Sequence, residues 1–282
     1  MSENSIFDVH YEKPLHSIDI SWAGIKKARV PPIKLGDIWL VPEVSIYVDL
    51  PGAYRGVHVS RLYKAILLVK RLPEEGLSVI ETIATRVLSD NEYAERARVT
   101  LSARVISEES SEFRGYRYIR VGVILDKSGV RGYESSASTV AITSCPCALK
   151  VAEQLYSKPY THTSKLRVTV TIKSKRSLID SLRLLNAMSR VLSELNNYLK
   201  REQEAMLLRN SIENPLFAED VVRLLTVRAV RECSDQLDPR DVIVATAKSI
   251  EPLHEYGLYV VLKATIGSVL DTANATSTRS EL

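Results

Sequence analysis

The chain has 282 residues and a mass of 31.6 kDa, enough for one large domain or two ordinary ones, and its 45% hydrophobic and 26% charged residues are those of a globular protein. Three cysteines are too few for a disulfide framework, which predicts a reducing, cytoplasmic setting. A net charge of +4 without Lys/Arg blocks suits a small anionic substrate better than nucleic acid. Apolar stretches such as Ala65 to Val69 are too short for a membrane span, and Met1 to Pro14, with Glu3, Asp8 and Glu12, lacks the apolar core of a secretory signal.

An extended stretch interrupted at Pro31 and Pro32 leads into Val44 to Leu50, whose period of two predicts a strand ended by Pro51-Gly52. Ser60 to Arg71 and Ser78 to Leu88 carry apolar residues at helical spacing. Two strands follow, near Arg96 to Ser107 and Tyr116 to Leu125, and Gly129 marks a break. Strands are then expected near Ser138 to Thr143 and over Leu166 to Ile172. Leucines and other apolar residues from Leu178 to Leu199 predict one long amphipathic helix. Asn214-Pro215 reads as a cap and first turn of the next helix, with Glu219 and Asp220 placed where a helix dipole favours them. Asp241 to Ile250 and Leu258 to Ile266 are the last strands, and the tail from Thr272 is expected to be disordered.

Each half thus reads β, β, α, α, β, β, which predicts an α+β protein with antiparallel sheets and helices on one face. The expected modules are residues 1–130 and 131–271, with 272–282 as the tail.

Five clusters could carry chemistry. Ser144-Cys145-Pro146-Cys147 follows an apolar strand; a thiolate there could bind a metal, or the pair could simply pack. His162 stands between Thr161 and Thr163 before a strand, as a ligand or as a cap. Glu202, Glu204, Glu219 and Asp220 form an acidic stretch that also fits solvated charge. Glu251 and His254 at a strand end suit acid–base work or an ordinary loop. Arg55, His58 and Arg61 lead into a helix start, a setting phosphates prefer, or a plain basic surface.

In this order the clusters resemble the type IB GTP cyclohydrolases, over about Asp19 to Ile266. The marks are Leu50-Pro51-Gly52 with Arg55-Gly56-Val57-His58-Val59-Ser60-Arg61, then Ser144-Cys145-Pro146-Cys147, Thr161-His162-Thr163, Glu213-Asn214-Pro215 with Phe217 to Asp220, and Glu251 with His254. Ala148 after the cysteine pair and the Thr-His-Thr form resemble the archaeal branch, which opens methanopterin biosynthesis.

The resemblance implies tandem tunnelling-fold modules that close into barrels on oligomerisation, with active sites between subunits of a homotetramer. It implies a metal-dependent hydrolase acting on a cyclic amidine, with GTP as substrate. Cys145, His162 and Glu204 would hold the metal, Fe(2+) first, with Mn(2+) or Zn(2+) able to occupy the site. Glu219 would anchor the guanine edge. Arg55, His58 and Arg61 would hold phosphates, and Cys145, Glu251 and His254 would act in catalysis. The implied products are 7,8-dihydroneopterin 2′,3′-cyclic phosphate, formate and diphosphate. The alternatives are a bacterial-type enzyme giving dihydroneopterin triphosphate, a pterin synthase or nitrile-reducing relative within the fold, and a non-catalytic metal- or purine-nucleotide-binding protein.

Overall fold

The computed structural model describes residues 9–107, 116–195 and 199–277. Alternating apolar residues build the first strands, β1 (Ile20–Arg29), β2 (Ile33–Leu35) and β3 (Ile38–Leu50). A helical layer follows, α1 (Val59–Ile66), α2 (Leu72–Glu75) and α3 (Val79–Asp90), then β4 (Arg96–Ser107), β5 (Tyr118–Asp126) and β6 (Gly129–Ser144). The second half continues with α4 (Pro146–Tyr156), β7 (Thr163–Ser174), α5 (Ser181–Ser189), β8 (Ser193–Glu194), α6 (Arg201–Glu213) and α7 (Ala218–Glu232). It ends with β9 (Val242–Ile250), β10 (Tyr259–Thr265) and α8 (Ile266–Ser277).

All ten strands join one antiparallel sheet in the order β1-β3-β4-β5-β6-β7-β9-β10, with β2 on β3 and β8 on β6. Pro42 is tolerated inside β3 because it falls between the stretches paired with β1 and β2, so its missing N–H breaks no ladder bond. One sheet face is apolar: Val44, Ile46, Val99, Leu101, Val121, Val168, Val170 and Ala245 are buried there against Leu62, Ile80, Ile83, Leu185, Val222 and Leu225 of the helices. Each such aliphatic side chain contributes about 1.5–3 kcal/mol by leaving water. The other face is polar and, among the described residues, carries no helix; Arg98, Thr100, Arg120, Glu134 and Lys173 lie along it. The expected division near residue 130 falls in the β5–β6 hairpin, and both the sheet and the buried core run across it.

Three expectations are corrected. The helix over 178–199 is only α5: Asp180 caps its start by accepting from the N–H groups of Leu182 and Arg183, and the chain leaves it at Ser189. The leucine periodicity persists beyond, but Leu195 N–H donates to Val140 O, because the end of β6 beyond Ser138 has no β5 partner and takes β8 instead. Asn214 ends α6 rather than starting α7; α7 begins at Ala218, with Asp220 accepting from Phe217 N–H. Residues 272–277, expected in a disordered tail, form the last turns of α8, whose Val269 packs into the core; residues 278–282 lie outside the described residues.

The long strands give the sheet two ends. β6 has 16 residues, so its ends stand roughly 50 Å apart. At one end lie Leu50, Arg96, Ser174 and Val242; at the other lie Ser144, Thr163 and Ile250.

Candidate functional site

Ser144 and Thr163 are paired at the end of β6 and β7, and the residues just beyond them are Cys145 and His162. Cys145 N–H donates to His162 O at 3.1 Å, and Thr161 Oγ1 donates to Cys145 O at 2.9 Å, so the two segments are laced together. Cys145 is also the N-cap of α4, its sulfur accepting from Ala148 N–H at 3.4 Å, with Pro146 in the first turn. This helix was missed from the sequence; the signal was Pro146 directly after a polar residue, the favoured first position of a helix. Cys147 lies on α4 and is exposed.

Glu251 comes to the same place one strand away. Its carboxylate accepts from Ser164 Oγ at 2.9 Å and from Ser249 Oγ, and both serines are buried. Its Oε2 then stands 3.7 Å from His162 Nε2. Ser164 and Ser249 were not singled out from the sequence, since a serine in a strand carries no signal of its partner. His254 follows in the turn after β9, its N–H donating to Glu251 O, and its exposed ring stacks on Tyr256 at 4.9 Å and 4°.

The α6–α7 elbow is stitched to the same end of β6. Thr143 Oγ1 donates to Leu216 O at 2.6 Å, and Ser144 Oγ lies 3.0 Å from Ser211 Oγ, both serines buried. Glu219 is the second residue of α7, three after Leu216, and is exposed. Glu204 is in the first turn of α6, two turns before Ser211 on the same stripe of the helix, and is exposed too.

Arg55, His58 and Arg61 lie at the opposite end of the sheet, after β3, and each is engaged within the chain. Arg55 pairs with Glu12. His58 is buried as the N-cap residue of α1, its ring 4.5 Å from that of His10, and its N–H donates to the Tyr93 hydroxyl. Arg61 Nη1 donates to Asp90 O at 2.8 Å. The structure therefore brings Cys145, His162, Glu251, His254 and the elbow that leads into Glu219 to one end, leaves Glu204 in the first turn of α6, and sets the basic motif apart from them.

The donor chemistry at that end partly fits a divalent metal. His162 Nδ1 is buried without a hydrogen-bond partner, and Cys145 is a free thiol beside it. Sulfur and imidazole nitrogen suit iron, manganese less, and zinc well. Glu204 does not join them within one chain: among the described residues, no three His, Cys, Asp or Glu side chains gather closely enough to hold an ion. No helix among the described residues is long and apolar enough to cross a membrane.

A family profile described as "Type I GTP cyclohydrolase folE2" matches residues 6–260. Among curated proteins, the chain is similar to "GTP cyclohydrolase MptA" of Thermoplasma acidophilum, 25% identical over 93% of this chain and 96% of that one. The protein of the same name from Aeropyrum pernix is 27% identical over 95% and 98%, and that from Korarchaeum cryptofilum 27% over 89% and 90%. Among solved structures, the uricase from Arthrobacter globiformis superposes with a TM-score of 0.50 at 7% identity, covering 86% of this chain and 92% of that one. This likeness is one of fold: the tunnelling fold, an antiparallel sheet with helices on one face.

Proposed function

The chain belongs to the type I GTP cyclohydrolase family, and we propose that it converts GTP and water to 7,8-dihydroneopterin 2′,3′-cyclic phosphate, formate and diphosphate, the first step of methanopterin biosynthesis. The match across residues 6–260 carries the GTP cyclohydrolase reading, and the archaeal relatives named for the same activity support the choice of branch.

In this reading the guanine edge is taken by Glu219, since a carboxylate accepts both the ring N–H and the exocyclic amine. Cys145 and His162, held side by side by Cys145 N–H, are the proposed metal ligands, with Glu204 as the third. Iron(II) is the proposed metal, with manganese(II) or zinc(II) able to replace it; a cation there would activate water at neutral pH for attack at C8 of the purine. Glu251, fixed by two serines, sets its carboxylate 3.7 Å from His162 Nε2, a charge that favours the proton on that nitrogen and leaves Nδ1 for a metal. His254, exposed on its turn, is the proposed group for proton transfer to the ring nitrogens as C8 leaves as formate.

The separation of the basic motif from Cys145 supports an assembly in which sites form between copies. A homotetramer in which the open sheet faces close into barrels is the proposed form, with residues 1–130 and 131–271 as its two modules and the cytoplasm as its setting. Arg55, His58 and Arg61 then approach substrate phosphates across the interface, where a ribose hydroxyl attacks the α-phosphate and diphosphate departs.

Phosphorus NMR of an anaerobic reaction with GTP and iron(II) tests the proposal. Free diphosphate with a cyclic phosphodiester is the expected result. An intact triphosphate on the pterin leaves the bacterial-type reaction standing, and an absence of pterin fluorescence after oxidation overturns the activity altogether.

A further inference from the structure

A second concave feature lies elsewhere, on the polar face of the sheet. It is a groove of about 700 Å³, floored by β4, β5, β6 and the end of β7 and walled by residues 238–242. Six Lys and Arg side chains line it against three carboxylates. Six cations less three carboxylates leave the lining with a formal charge of +3. A concave surface of one sign focuses its field on ions of the other.

The carboxylates do not saturate these cations. Glu134 lies 3.8 Å from both Arg120 Nε and Lys173 Nζ, too far to hydrogen-bond either. Asp241 is turned to the backbone, accepting from Asp238 N–H at 2.9 Å. Asp238 alone is fully used, by Arg176 and Arg240. The Arg98 side chain, half-buried on the floor beside the buried Thr100, makes no hydrogen bond or ion pair among the described residues, and neither does that of Lys175. A guanidinium without an acceptor, flanked by further cations, is the arrangement that binds phosphate oxygens through paired N–H donors.

We propose that this groove is an anion site that takes the phosphate chain of a small ligand, either a nucleotide tail or free diphosphate. It is separate from the Cys145–His162 centre of the same chain. Lys173 and Lys175 lie at the end of β7, whose 12 residues put them on the order of 35 Å from Thr163 at its start. Its volume exceeds what a single orthophosphate fills and suits a longer chain of phosphates.

Calorimetric titration of the intact purified protein with inorganic diphosphate, in a metal-free, phosphate-free buffer, tests this. The parent protein and a Cys145→Ala/His162→Ala variant should bind alike, because the centre at the other end is not involved; this also separates failure here from failure of the proposed activity. Arg98→Ala/Lys175→Ala should weaken binding at least about tenfold, the loss of two charge-assisted contacts. Lys127→Ala, which removes an exposed cation outside the groove, should leave affinity unchanged. Arg98→Gln keeps the bulk on the floor and should show the same direction of loss if the double variant folds poorly. Cytidine triphosphate competing with diphosphate assigns the site to a nucleotide tail, and no competition assigns it to the free anion; both support it. No binding by the parent, unchanged affinity in Arg98→Gln, or equal loss in Lys127→Ala overturns the proposal.

Discussion

The backbone N–H of Cys145 donates to the carbonyl of His162 at 3.1 Å, although 16 residues, a whole helix among them, separate the two in the chain. The bond extends the β6–β7 ladder one step past Ser144 and Thr163, so a thiol and an imidazole are set beside each other by strand register alone. Cys147, by contrast, has turned away onto α4 and is exposed. Cys145→Ala is therefore expected to abolish pterin formation, and Cys147→Ala to retain a substantial fraction of it. Fluorescence of the oxidised product, with circular dichroism as a control for folding, measures both. Equal and complete loss in two folded variants counts against giving the ligand role to the first cysteine.

Glu251 accepts from Ser164 and Ser249 on neighbouring strands, so its carboxylate is fixed before it meets His162. Removing both serines leaves it free to rotate and leaves His162 without a defined neighbour. Ser164→Ala/Ser249→Ala should lower kcat by about tenfold, within the range for disturbed groups behind a metal ligand. KM for GTP should change little, because neither serine is placed against the substrate. A rise in KM at constant kcat reverses that assignment.

Glu219 opens α7, tied to the Cys145 end of the sheet through Thr143 and Leu216. Glu219→Gln keeps the shape of the side chain but loses the charge that favours accepting two donors. GTP should bind about ten- to a hundredfold more weakly, as expected for a charged hydrogen-bonding group, while metal content by elemental analysis stays near that of the parent. Metal loss in this variant means that Glu219 and Glu204 exchange roles.

Much of the scaffold is readable from residue patterns, and the misreadings have local causes. β4 and β7 alternate cleanly because one sheet face is buried and the other polar. α4 escaped because Leu149 and Ala152 are its only buried residues, too few to impose a helical period on the sequence. The leucines after Ser189 kept that period while the backbone left the helix to pair with β6, where an unpaired stretch of strand outweighed helix propensity. Glu202 and Glu204 read only as an acidic stretch because α6 buries only Ser211 and so shows no apolar stripe. Cys145, His162 and Glu251 could be named from their motifs. That Arg55 and Arg61 sit at the other end of the sheet could not, since the direction in which a motif faces depends on strand order.

Cys233 is fully buried at the end of α7, and burial pushes its thiol up to about 11. Unfolded, it ionises near the ordinary value of about 8.5. The folded state thus holds the proton more tightly, and stability is lost as pH rises from the unfolded value towards the folded one. Cys233→Ala should cost on the order of 1–2 kcal/mol at pH 7 through the space it leaves. The gap between parent and variant should narrow above about pH 9 as only the parent pays for keeping its thiol neutral. Urea unfolding at pH 7 and pH 10 reads the difference, and a gap that is the same at both sets the ionisation of Cys233 aside.

The longest-range consequence follows from the two ends of the sheet. Arg61 lies beside Asp90 at one end of the sheet, and Cys145 follows the last residue of β6 at the other. If one reaction needs both, each site draws Cys145 from one copy and Arg61 from another. Arg61→Ala and Cys145→Ala should then each be inactive alone, yet mixed subunits should recover activity. A paired interface that carries both substitutions on the same side leaves the opposite site intact, so random pairing restores about a quarter of parent activity. Co-expressing the two variants with different affinity tags, purifying the mixed assembly through both, and assaying pterin formation reads this directly. Mixed assemblies as inactive as either variant, at unchanged oligomer size, place the whole reaction within a single copy and remove the basic motif from it.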